Sequence, residues 1–362
     1  MKPAAKGIFV FILSAGFIAL ICFSDHRRFT VPAEFFLKII LLYVLTKLFV
    51  KKVVRNKSLK DRYRNVLLVM YTLTGFLLLL EIIFMGIPVS NATGSSKASW
   101  VWFDFFWHPV NELGYRDKPV TTDGSKLHVL VVGDSFTAGH GIRFTSDRFT
   151  DQLQQRLGDS YRIYNLGKNG SDTKDEYQSL LAYPVKPDAI ILQYFGNDIE
   201  GAAGKIKSAA KLYTAYEELH GWSRWIILHS YLLNFIYWNL SPKENHYREF
   251  LAAYYADPVT LSNHLHDLEQ VIAYAHTNSI PLVVLIIPFL NVSPDLSDFY
   301  VQPVSRFLSQ HQVEVANAGD WLGAVPMNDR VVNKTDGHAS VRVNGIMADH
   351  LAEMIGKLRL KK

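Results

Sequence analysis

The sequence predicts an α/β protein, a three-layer α/β/α sandwich with a mostly parallel five-stranded sheet, preceded by N-terminal transmembrane helices. Two patterns lead to this prediction. From residue 127 onward, short and fully apolar runs alternate with helical patterns, and strands that are apolar throughout belong to parallel sheets covered by helices on both faces. The first 87 residues instead contain longer apolar runs, which are typical of membrane segments.

The five predicted strands are short and apolar at nearly every position. They cover residues 127–132, 161–164, 189–194, 281–287 and 313–316. Helical patterns fill the gaps and the end of the chain, at residues 149–157, 174–182, 263–278, 301–310 and 343–358. Because parallel strands end at the same edge of a sheet, we expect functional groups directly after the carboxyl ends of these strands.

Three apolar runs, at residues 7–23, 31–50 and 66–87, are the predicted transmembrane helices. Each is close to the roughly 20 residues that a helix needs to cross the hydrocarbon core of a bilayer. A cleaved signal peptide is the alternative for the first run, but the two further runs favour an anchor. The third run contains Glu81, which is either a polar contact to a neighbouring helix or a functional carboxylate.

The loop between the second and third runs is strongly basic. Between residues 51 and 64 it carries seven Lys and Arg residues and one acid, Asp61. Positively charged loops stay on the cytoplasmic side, so everything after residue 87 is expected outside. The predicted localisation is therefore an integral protein of the cell or inner membrane. Its α/β domain is extracytoplasmic, on the periplasmic side if the host is bacterial.

Composition excludes several classes of protein. Residues 1–99 hold 14 basic and 4 acidic residues, whereas the remaining residues hold 24 basic and 29 acidic ones. A nucleic-acid binder carries its positive charge on the folded domain, so no nucleic-acid partner is predicted. The single cysteine, Cys22, excludes a disulfide framework and a cysteine-based zinc site. A hydrophobic content of 49% excludes general disorder.

Residues 88–110 are predicted to link the anchor to a domain at 111–362. The first ten of these residues have the Pro, Ser, Asn and Gly composition of an exposed tether. An aromatic segment follows at residues 100–107. Its rings suit a membrane–water interface, and packing onto the following domain is an equal alternative.

Residues 200–262 interrupt the alternation of strands and helices. They are predicted to form a helical insertion, rich in aromatic residues at 222–238 but broken by Arg224, His229 and Asn234. A lid, a substrate platform, a membrane-touching helix and an amphipathic helix that covers the sandwich are the alternatives. The last of these is the simplest, because covering helices are a general feature of such sandwiches.

The strongest local signal for chemistry is Gly133-Asp134-Ser135, directly after the first strand. A serine at this strand-to-helix turn is exposed and lies close to backbone amides that can stabilise an oxyanion. Asp and Ser are also ordinary N-cap residues of helices. The motif alone therefore leaves both interpretations open, with Ser135 as the candidate nucleophile.

Three further features fall at the same predicted edge of the sheet. A glycine-rich turn at residues 165–170 ends the second strand and can aim a backbone N–H outward. Asn197 follows the third strand, and Asp336 and His338 precede the last helix. A serine, a histidine with a nearby acid, and two oxyanion donors are the parts that acyl transfer needs.

These blocks, in this order, resemble the SGNH/GDSL hydrolase family over about residues 111–358. The resemblance implies the α/β/α fold of that family and a serine esterase activity. It also implies that Ser135 is the nucleophile. The implied oxyanion hole consists of the N–H groups of Ser135 and Gly170 and the side chain of Asn197.

The last block implies that His338 is the catalytic base and that Asp336 is the acid that orients it. The most familiar spacing in the family places the acid three residues before the histidine. In this chain the spacing is two, and Thr335 occupies the usual position. The assignment of Asp336 is therefore the one that departs from the family pattern.

No metal and no cofactor is predicted. His264 and His266 are two positions apart on a predicted helix, where they face different directions and make a poor metal site. Gly139-His140-Gly141 lacks the third glycine of a dinucleotide fingerprint, and no phosphate-loop pattern occurs.

The resemblance and the predicted topology imply a membrane-anchored, extracytoplasmic serine esterase or deacylase. Its expected substrates are O-acyl esters, often acetyl esters, of glycans or lipids. The first alternative is an O-acyltransferase that modifies envelope polysaccharide with the same residues, together with a membrane-bound acyl-donating partner. The second is a catalytically inactive binding or assembly subunit, against which the intact Ser135 and His338 argue.

Overall fold

The computed structural model describes residues 57–204, 219–240, 247–358 and 360, and isolated helical positions between residues 37 and 48. The chain divides into two compact units. The first comprises residues 1–87 and 218–241, and the second comprises residues 88–217 and 242–362.

The helices and strands of the described residues alternate along most of the chain. The helices are α1 (Lys57–Met85), α2 (Lys97–Phe106), α3 (Ser135–Ala138), α4 (Phe149–Leu157), α5 (Thr173–Ala182), α6 (Gly221–His229), α7 (Tyr231–Asn239), α8 (Tyr247–Ala256), α9 (Pro258–Thr277), α10 (Asp298–Gln310), α11 (Met327–Arg330) and α12 (Val341–Lys357). The strands are β1 (Leu127–Gly133), β2 (Tyr161–Gly167), β3 (Ala189–Tyr194), β4 (Leu282–Ile286), β5 (Glu314–Asn317), β6 (Val331–Asn333) and β7 (Asp336–Ala339).

The second unit is built on a five-stranded parallel sheet with the strand order β2-β1-β3-β4-β5. Leu127 pairs with Tyr161 and Gly133 with Gly167, so β1 and β2 end side by side. Strands β6 and β7 form a separate antiparallel hairpin. The sheet confirms the predicted α/β class and the predicted five parallel strands.

Both faces of the sheet are covered, because neighbouring residues of a strand point to opposite faces and all are buried. Val129, Leu130, Val131 and Val132 of β1 are each at most 1% exposed. Burying one such side chain contributes about 1.5–3 kcal/mol relative to leaving it in water. This burial explains why the central strands are apolar throughout and could be recognised in the sequence.

The observed helices agree with the predicted ones except at some boundaries. Helix α9 begins at Pro258, five residues before its predicted start. Asp257 caps it, because its carboxylate accepts a hydrogen bond from the Thr260 N–H at 2.8 Å. Proline is favoured in a first helical turn, where its missing N–H has no partner to lose.

In the first unit, α7 packs against α1. The rings of Phe84 and Phe235 lie 5.0 Å apart between their centroids. The Glu81 carboxylate accepts hydrogen bonds from the Ser230 hydroxyl and, at 2.6 Å, from the Tyr231 N–H at the start of α7. Of the two alternatives for Glu81, the structure therefore contains the polar contact to a neighbouring helix.

The predicted membrane segments are only partly covered by the described residues. The run at 7–23 lies outside them, as does most of the run at 31–50. The run at 66–87 falls largely within α1. Among the helices that the structure describes, none combines the length and the apolar character needed to cross a membrane.

Residues 88–97 differ from the exposed tether that their composition predicts. Ser90, Asn91 and Ser96 are buried, and their side chains hydrogen-bond within the second unit. In the aromatic segment that follows, Trp102 is 1% exposed, whereas Trp100 and Phe105 are exposed. Part of that segment therefore packs within the second unit.

The predicted insertion at 200–262 contributes to both units. Helices α6 and α7 belong to the first unit, whereas α8 and the start of α9 belong to the second. In α8, Leu251 and Tyr254 are buried in the core of the sandwich, whereas the aromatic stretch at 222–238 lies in α6 and α7 of the first unit. Residues 205–218 and 241–246 lie outside the described residues.

Candidate active site

The turn after β1 presents Ser135 at the start of the short helix α3. Asp134 caps this helix, and its carboxylate accepts a hydrogen bond from the Phe136 N–H at 2.8 Å. Gln193 of β3 holds the same turn, because its Oε1 accepts hydrogen bonds from the N–H of Asp134 at 3.1 Å and from the N–H and hydroxyl of Thr137 at 3.2 and 2.9 Å. Ser135 remains partly exposed.

The end of β2 packs directly against α3. A Cβ atom at Gly167 would lie only 2.1 Å from the Ala138 backbone nitrogen, which is shorter than van der Waals contact allows, so only glycine fits there. Next to it, the Asn165 side chain donates a hydrogen bond to the Thr137 carbonyl at 2.6 Å. These contacts fix the serine turn against the neighbouring strand.

The β6–β7 hairpin brings Asp336 and His338 to the serine. The Ser135 hydroxyl lies 2.8 Å from the His338 Nε2, and the His338 Nδ1 lies 2.5 Å from the Asp336 carboxylate. The Thr335 hydroxyl instead donates to Asn333 at 2.9 Å. The two-residue spacing therefore lets the acid reach the imidazole, and Thr335 does not take its place.

The imidazole and the carboxylate of this group shift each other's ionisation. Burial on its own lowers the pKa of His338, but the Asp336 carboxylate and its hydrogen bond outweigh burial and raise that pKa above the ordinary value of 6.5. Burial also disfavours the charged form of Asp336, yet the charge and hydrogen bond of His338, with a contribution from His140, hold the pKa of Asp336 well below its ordinary value. The pair thus favours a charged aspartate that can stabilise an imidazolium.

The predicted oxyanion donors follow three neighbouring strands. Ser135 comes after β1, Gly170 after β2 and Asn197 after β3, and these strands are adjacent in the order β2-β1-β3. Gly170 is exposed, at a φ of 75° that favours glycine. The Asn197 side chain lowers the pKa of the nearby Asp134 carboxyl, against the larger effect of burial, which raises it. A primary amide carries two hydrogens that it can donate.

A group of buried carboxyl groups lies close to the serine turn. Burial raises the pKa of Glu176 well above its ordinary value, and the negative charges of Asp134 and Asp172 raise it further. Burial and the neighbouring Glu176 likewise raise the pKa of Asp198. Neither oxygen of Glu176 has a hydrogen-bond partner among the described residues. These carboxyl groups therefore keep their protons to higher pH than exposed carboxyl groups do.

Sequence reasoning missed Arg116, which holds the loop after α3. Its guanidinium donates hydrogen bonds to the carbonyls of Gly139 at 2.6 Å, Phe106 at 2.7 Å and Ile142 at 2.8 Å. Burial, with the nearby charge of Arg148, lowers the pKa of Arg116 to about 9. Sequence reasoning also missed Gln193, which holds the serine turn. A polar residue within a fully buried strand is a signal that could have identified it.

His140, Asp336 and His338 each bring one potential metal ligand within 4.8 Å of the others. Both ring nitrogens of His338 already face partners, Asp336 and Ser135. The His140 Nε2 faces the Asn91 carbonyl at 2.9 Å. Because a metal would have to displace these hydrogen bonds, the group fits a hydrogen-bonded triad better than a coordination site.

A serine, a histidine and an aspartate in this contact, at the carboxyl edge of a parallel sheet, are the arrangement found in hydrolases that use a serine nucleophile. The family model of the GDSL-like Lipase/Acylhydrolase family matches residues 131–340, more than half of the chain. The chain belongs to this family and is an ester hydrolase. The family predicted from the motifs is thereby confirmed.

Solved structures that resemble the chain include Est24, a carbohydrate acetylesterase from Sinorhizobium meliloti. It is 17% identical, with 64% of this chain and 99% of that one covered, and the TM-score is 0.39. An aryl esterase from M. smegmatis is 17% identical with the same coverage and a TM-score of 0.37.

A member of the lipolytic protein G-D-S-L family from Veillonella parvula DSM 2008 is 12% identical, over 64% of this chain and 100% of that one, with a TM-score of 0.38. TM-scores below 0.5 carry no argument about the substrate of this chain. A search of curated protein sequences finds no match.

Replacing Glu176 with Gln should make the fold less sensitive to alkaline pH. The pKa of Glu176 is higher in the folded protein than its ordinary value of 4.5. The protonated carboxyl therefore contributes its full stability below pH 4.5, and this contribution is lost as the pH rises through the folded-state pKa. Glutamine cannot ionise, so the Glu176→Gln variant should lose less stability between about pH 5 and pH 9, by up to ~1.4 kcal/mol for each unit of pKa shift. Denaturant melts at both pH values measure this difference.

The exposed Glu314 provides the matched control. A Glu314→Gln variant should follow the wild type at both pH values. An equal loss of stability with pH in the Glu176→Gln variant and the wild type would contradict the buried, protonated carboxyl.

Proposed function

We propose that this protein is a membrane-anchored, extracytoplasmic serine esterase that removes acyl groups, such as acetyl, from glycans or lipids. The observation that carries the proposal is the hydrogen-bonded series in which Asp336 contacts His338 at 2.5 Å and His338 contacts Ser135 at 2.8 Å. These three residues are the proposed catalytic acid, base and nucleophile. Their contact fits acyl transfer through a serine nucleophile.

The first half of the reaction forms an acyl-enzyme. The Ser135 Oγ attacks the ester carbonyl while the neutral His338 Nε2 accepts its proton, and Asp336 stabilises the resulting imidazolium through the Nδ1–H. The carbonyl oxygen becomes an oxyanion, which accepts hydrogen bonds from the N–H groups of Ser135 and Gly170 and from the Asn197 amide. Loss of one such donor typically costs about 3–4 kcal/mol of transition-state stabilisation. His338 then donates its proton to the leaving alcohol.

The second half of the reaction releases the acyl group. Neutral His338 accepts a proton from water as the water oxygen attacks the acyl-enzyme, and the same donors hold the second oxyanion. The C–O bond to Ser135 breaks, and His338 returns the proton to the Ser135 Oγ. The products are a carboxylic acid and a free serine. Every proton transfer uses residues of the chain and water, so the balance closes without a further reactant.

A sugar hydroxyl in place of water would make the protein an O-acyltransferase, with a membrane-bound protein as the acyl donor. Partly exposed Ser135 is open to either acceptor. Hydrolysis is the proposed reaction, because the family of the chain consists of lipases and acylhydrolases. Product analysis with an acetylated donor and a glycan acceptor distinguishes the two reactions, and transfer in excess of hydrolysis would contradict the esterase.

The membrane attachment is proposed for the first unit, with the second unit on the extracytoplasmic side. The polarity of the first unit supports this proposal. Its polar residues Glu81, Ser230 and Asn234 are buried between helices, as polar groups are within membranes. Most of its exposed side chains on α1 are instead apolar, with Asn65 and Thr72 as polar exceptions. The exposed apolar residues are Val66, Leu68, Val69, Leu73, Phe76, Leu77, Leu79, Ile82 and Ile83. The basic loop at 51–64 supports the orientation.

Replacing Ser135 with Ala should abolish esterase activity. The variant lacks the nucleophile but keeps the oxyanion donors, so kcat for p-nitrophenyl acetate should fall by about 10⁴-fold or more. A fluorophosphonate probe should label the wild type and fail to label the variant. Ser125, which is exposed and lies before β1, provides a Ser125→Ala control with wild-type activity. Ser135→Ala activity at the wild-type level would contradict the proposed nucleophile.

Activity should rise with pH through a midpoint above the ordinary histidine value. His338 must be neutral to accept the proton from Ser135. Because the Asp336 carboxylate raises the pKa of His338, this imidazole stays protonated and inactive up to a higher pH than an ordinary histidine does. In an Asp336→Asn variant the charge is gone, so the midpoint should move to lower pH and kcat should fall by roughly 10⁴-fold. The dependence of kcat/KM on pH measures both effects.

The exposed Asp329, 55% accessible at its side chain, gives a matched control. An Asp329→Asn variant should keep the wild-type midpoint. A midpoint that stays in place when Asp336 is replaced would contradict the role of Asp336.

Cysteine labelling in sealed cells tests the membrane attachment and its orientation. In a Cys22→Ser background, Leu73→Cys should resist a membrane-impermeant maleimide although Leu73 is 57% exposed in the structure. Val259→Cys, in the second unit and 68% exposed, should react from outside. Lys51→Cys should react only after lysis. Reaction of Leu73→Cys as fast as that of Val259→Cys would contradict the attachment.

A further inference from the structure

The proposed reaction does not use Gly139-His140-Gly141, although His140 lies directly against the base. The His140 ring is 3% exposed. It stacks on the His338 ring at 4.4 Å between centroids and 23° between planes, and it also stacks with Trp102 at 5.8 Å and 21°. Contact between two buried rings at this distance restricts the orientation of both.

The backbone around His140 has little freedom to move. Gly141 has a φ of 79°, and a Cβ atom there would lie 2.7 Å from both the Asp336 carboxylate and the Val332 side chain. The Gly139 carbonyl is held by the Arg116 guanidinium at 2.6 Å. The loop therefore passes in close contact with the catalytic acid and presents the His140 ring in one position.

A hydrogen bond of His140 connects its loop to an earlier segment of the second unit. The His140 Nε2 lies 2.9 Å from the Asn91 carbonyl, so Nε2 carries the hydrogen and Nδ1 is an acceptor. Burial and the charge of His338 lower the pKa of His140 to about 4, so the ring is neutral where esterases work.

The Asn91 carbonyl belongs to a segment, residues 89–99, that precedes the region resembling the hydrolase family. Ser99 fixes its shape, because the Ser99 hydroxyl accepts a hydrogen bond from the Asn91 N–H at 2.7 Å and lies 3.2 Å from the Val89 carbonyl. The segment also contacts the β6–β7 hairpin, which carries Asp336 and His338, since the Ala92 N–H donates a hydrogen bond to the Thr335 carbonyl at 2.9 Å.

We propose that His140 is a positioning residue for His338, and that the segment 89–99 helps to orient the base through it. This inference rests on the proposed catalytic role of His338. The stacked ring and the hydrogen bond to Asn91 hold the His338 Nε2 at the distance from Ser135 that proton transfer needs. Small displacements of a reacting group are enough to lower kcat strongly while substrate binding is unchanged.

A double-mutant cycle on kcat tests the proposal in the full chain. His140→Phe keeps an aromatic ring against His338 but removes the hydrogen bond to the Asn91 carbonyl, and Ser99→Ala removes the hydroxyl that holds Asn91. Each variant should lower kcat for p-nitrophenyl acetate by about tenfold or more with KM within about twofold. Because Ser99 acts through His140, the double variant should be no slower than His140→Phe alone.

His264 provides the matched control, since it is also a buried histidine whose Nε2 is hydrogen-bonded, to Tyr194 at 2.7 Å. His264→Phe should lower thermal stability and leave kcat unchanged. In combination with Ser99→Ala, the kcat of the double variant should equal that of Ser99→Ala alone. Titration of Ser135 with a fluorophosphonate counts the folded active sites, so that kcat refers to folded enzyme in every variant.

Either of two results would overturn the proposal. The first is a His140→Phe variant with the wild-type kcat per labelled site. The second is a double variant in which the losses of kcat caused by His140→Phe and Ser99→Ala multiply. If His140→Phe does not fold, Ser99→Ala alone decides, because it leaves His140 in place: an unchanged kcat overturns the proposal and a loss at constant KM supports it. Hydrolysis that depends on Ser135 in the wild type distinguishes failure of this proposal from failure of the proposed function. If the wild type shows no such hydrolysis, both are overturned.

Discussion

Ser135, Gly170 and Asn197 lie beyond the same end of the sheet, because β1 is hydrogen-bonded between β2 and β3 in parallel register. A shift of one residue in either pairing would turn the apolar side chains of β1 to the other face and move the serine turn relative to its neighbours. The close contact at Gly167 and the hydrogen bonds of Gln193 fix the turn further. The geometry of the site is thus a consequence of strand pairing in the core.

A second constraint is the exclusion of water around the charged groups. The Asp336 carboxylate is fully buried, so its attraction for the His338 imidazolium is screened less than it would be at the surface. The same burial disfavours ionisation of Glu176, and the charges of Asp134 and Asp172 add to this effect. The pKa of a buried acid is therefore lowered where an opposite charge stands next to it and raised where other acids do.

The sequence was sufficient to predict the sheet and the residues at the strand ends, because long apolar runs and strand-end motifs are local signals. The β6–β7 hairpin was not predicted, since its strands of three and four residues are too short and too polar to form a pattern. His140 and Arg116 were not predicted either, because their partners are distant in sequence. The segment 89–99 has the composition of a tether, and only its tertiary hydrogen bonds bury it.

The hydrogen bond from His140 to the Asn91 carbonyl has a consequence for how this enzyme is divided into fragments. The region that resembles the hydrolase family begins near Asn111, and a chain shortened to that point would lack the acceptor that His140 faces at 2.9 Å. The imidazole would also lose the Trp102 ring that stacks on it, and with it a contact that restricts its orientation. Pro88, where the second unit starts, is thus the better N-terminal boundary for a shortened chain, since it keeps the residues that contact His140.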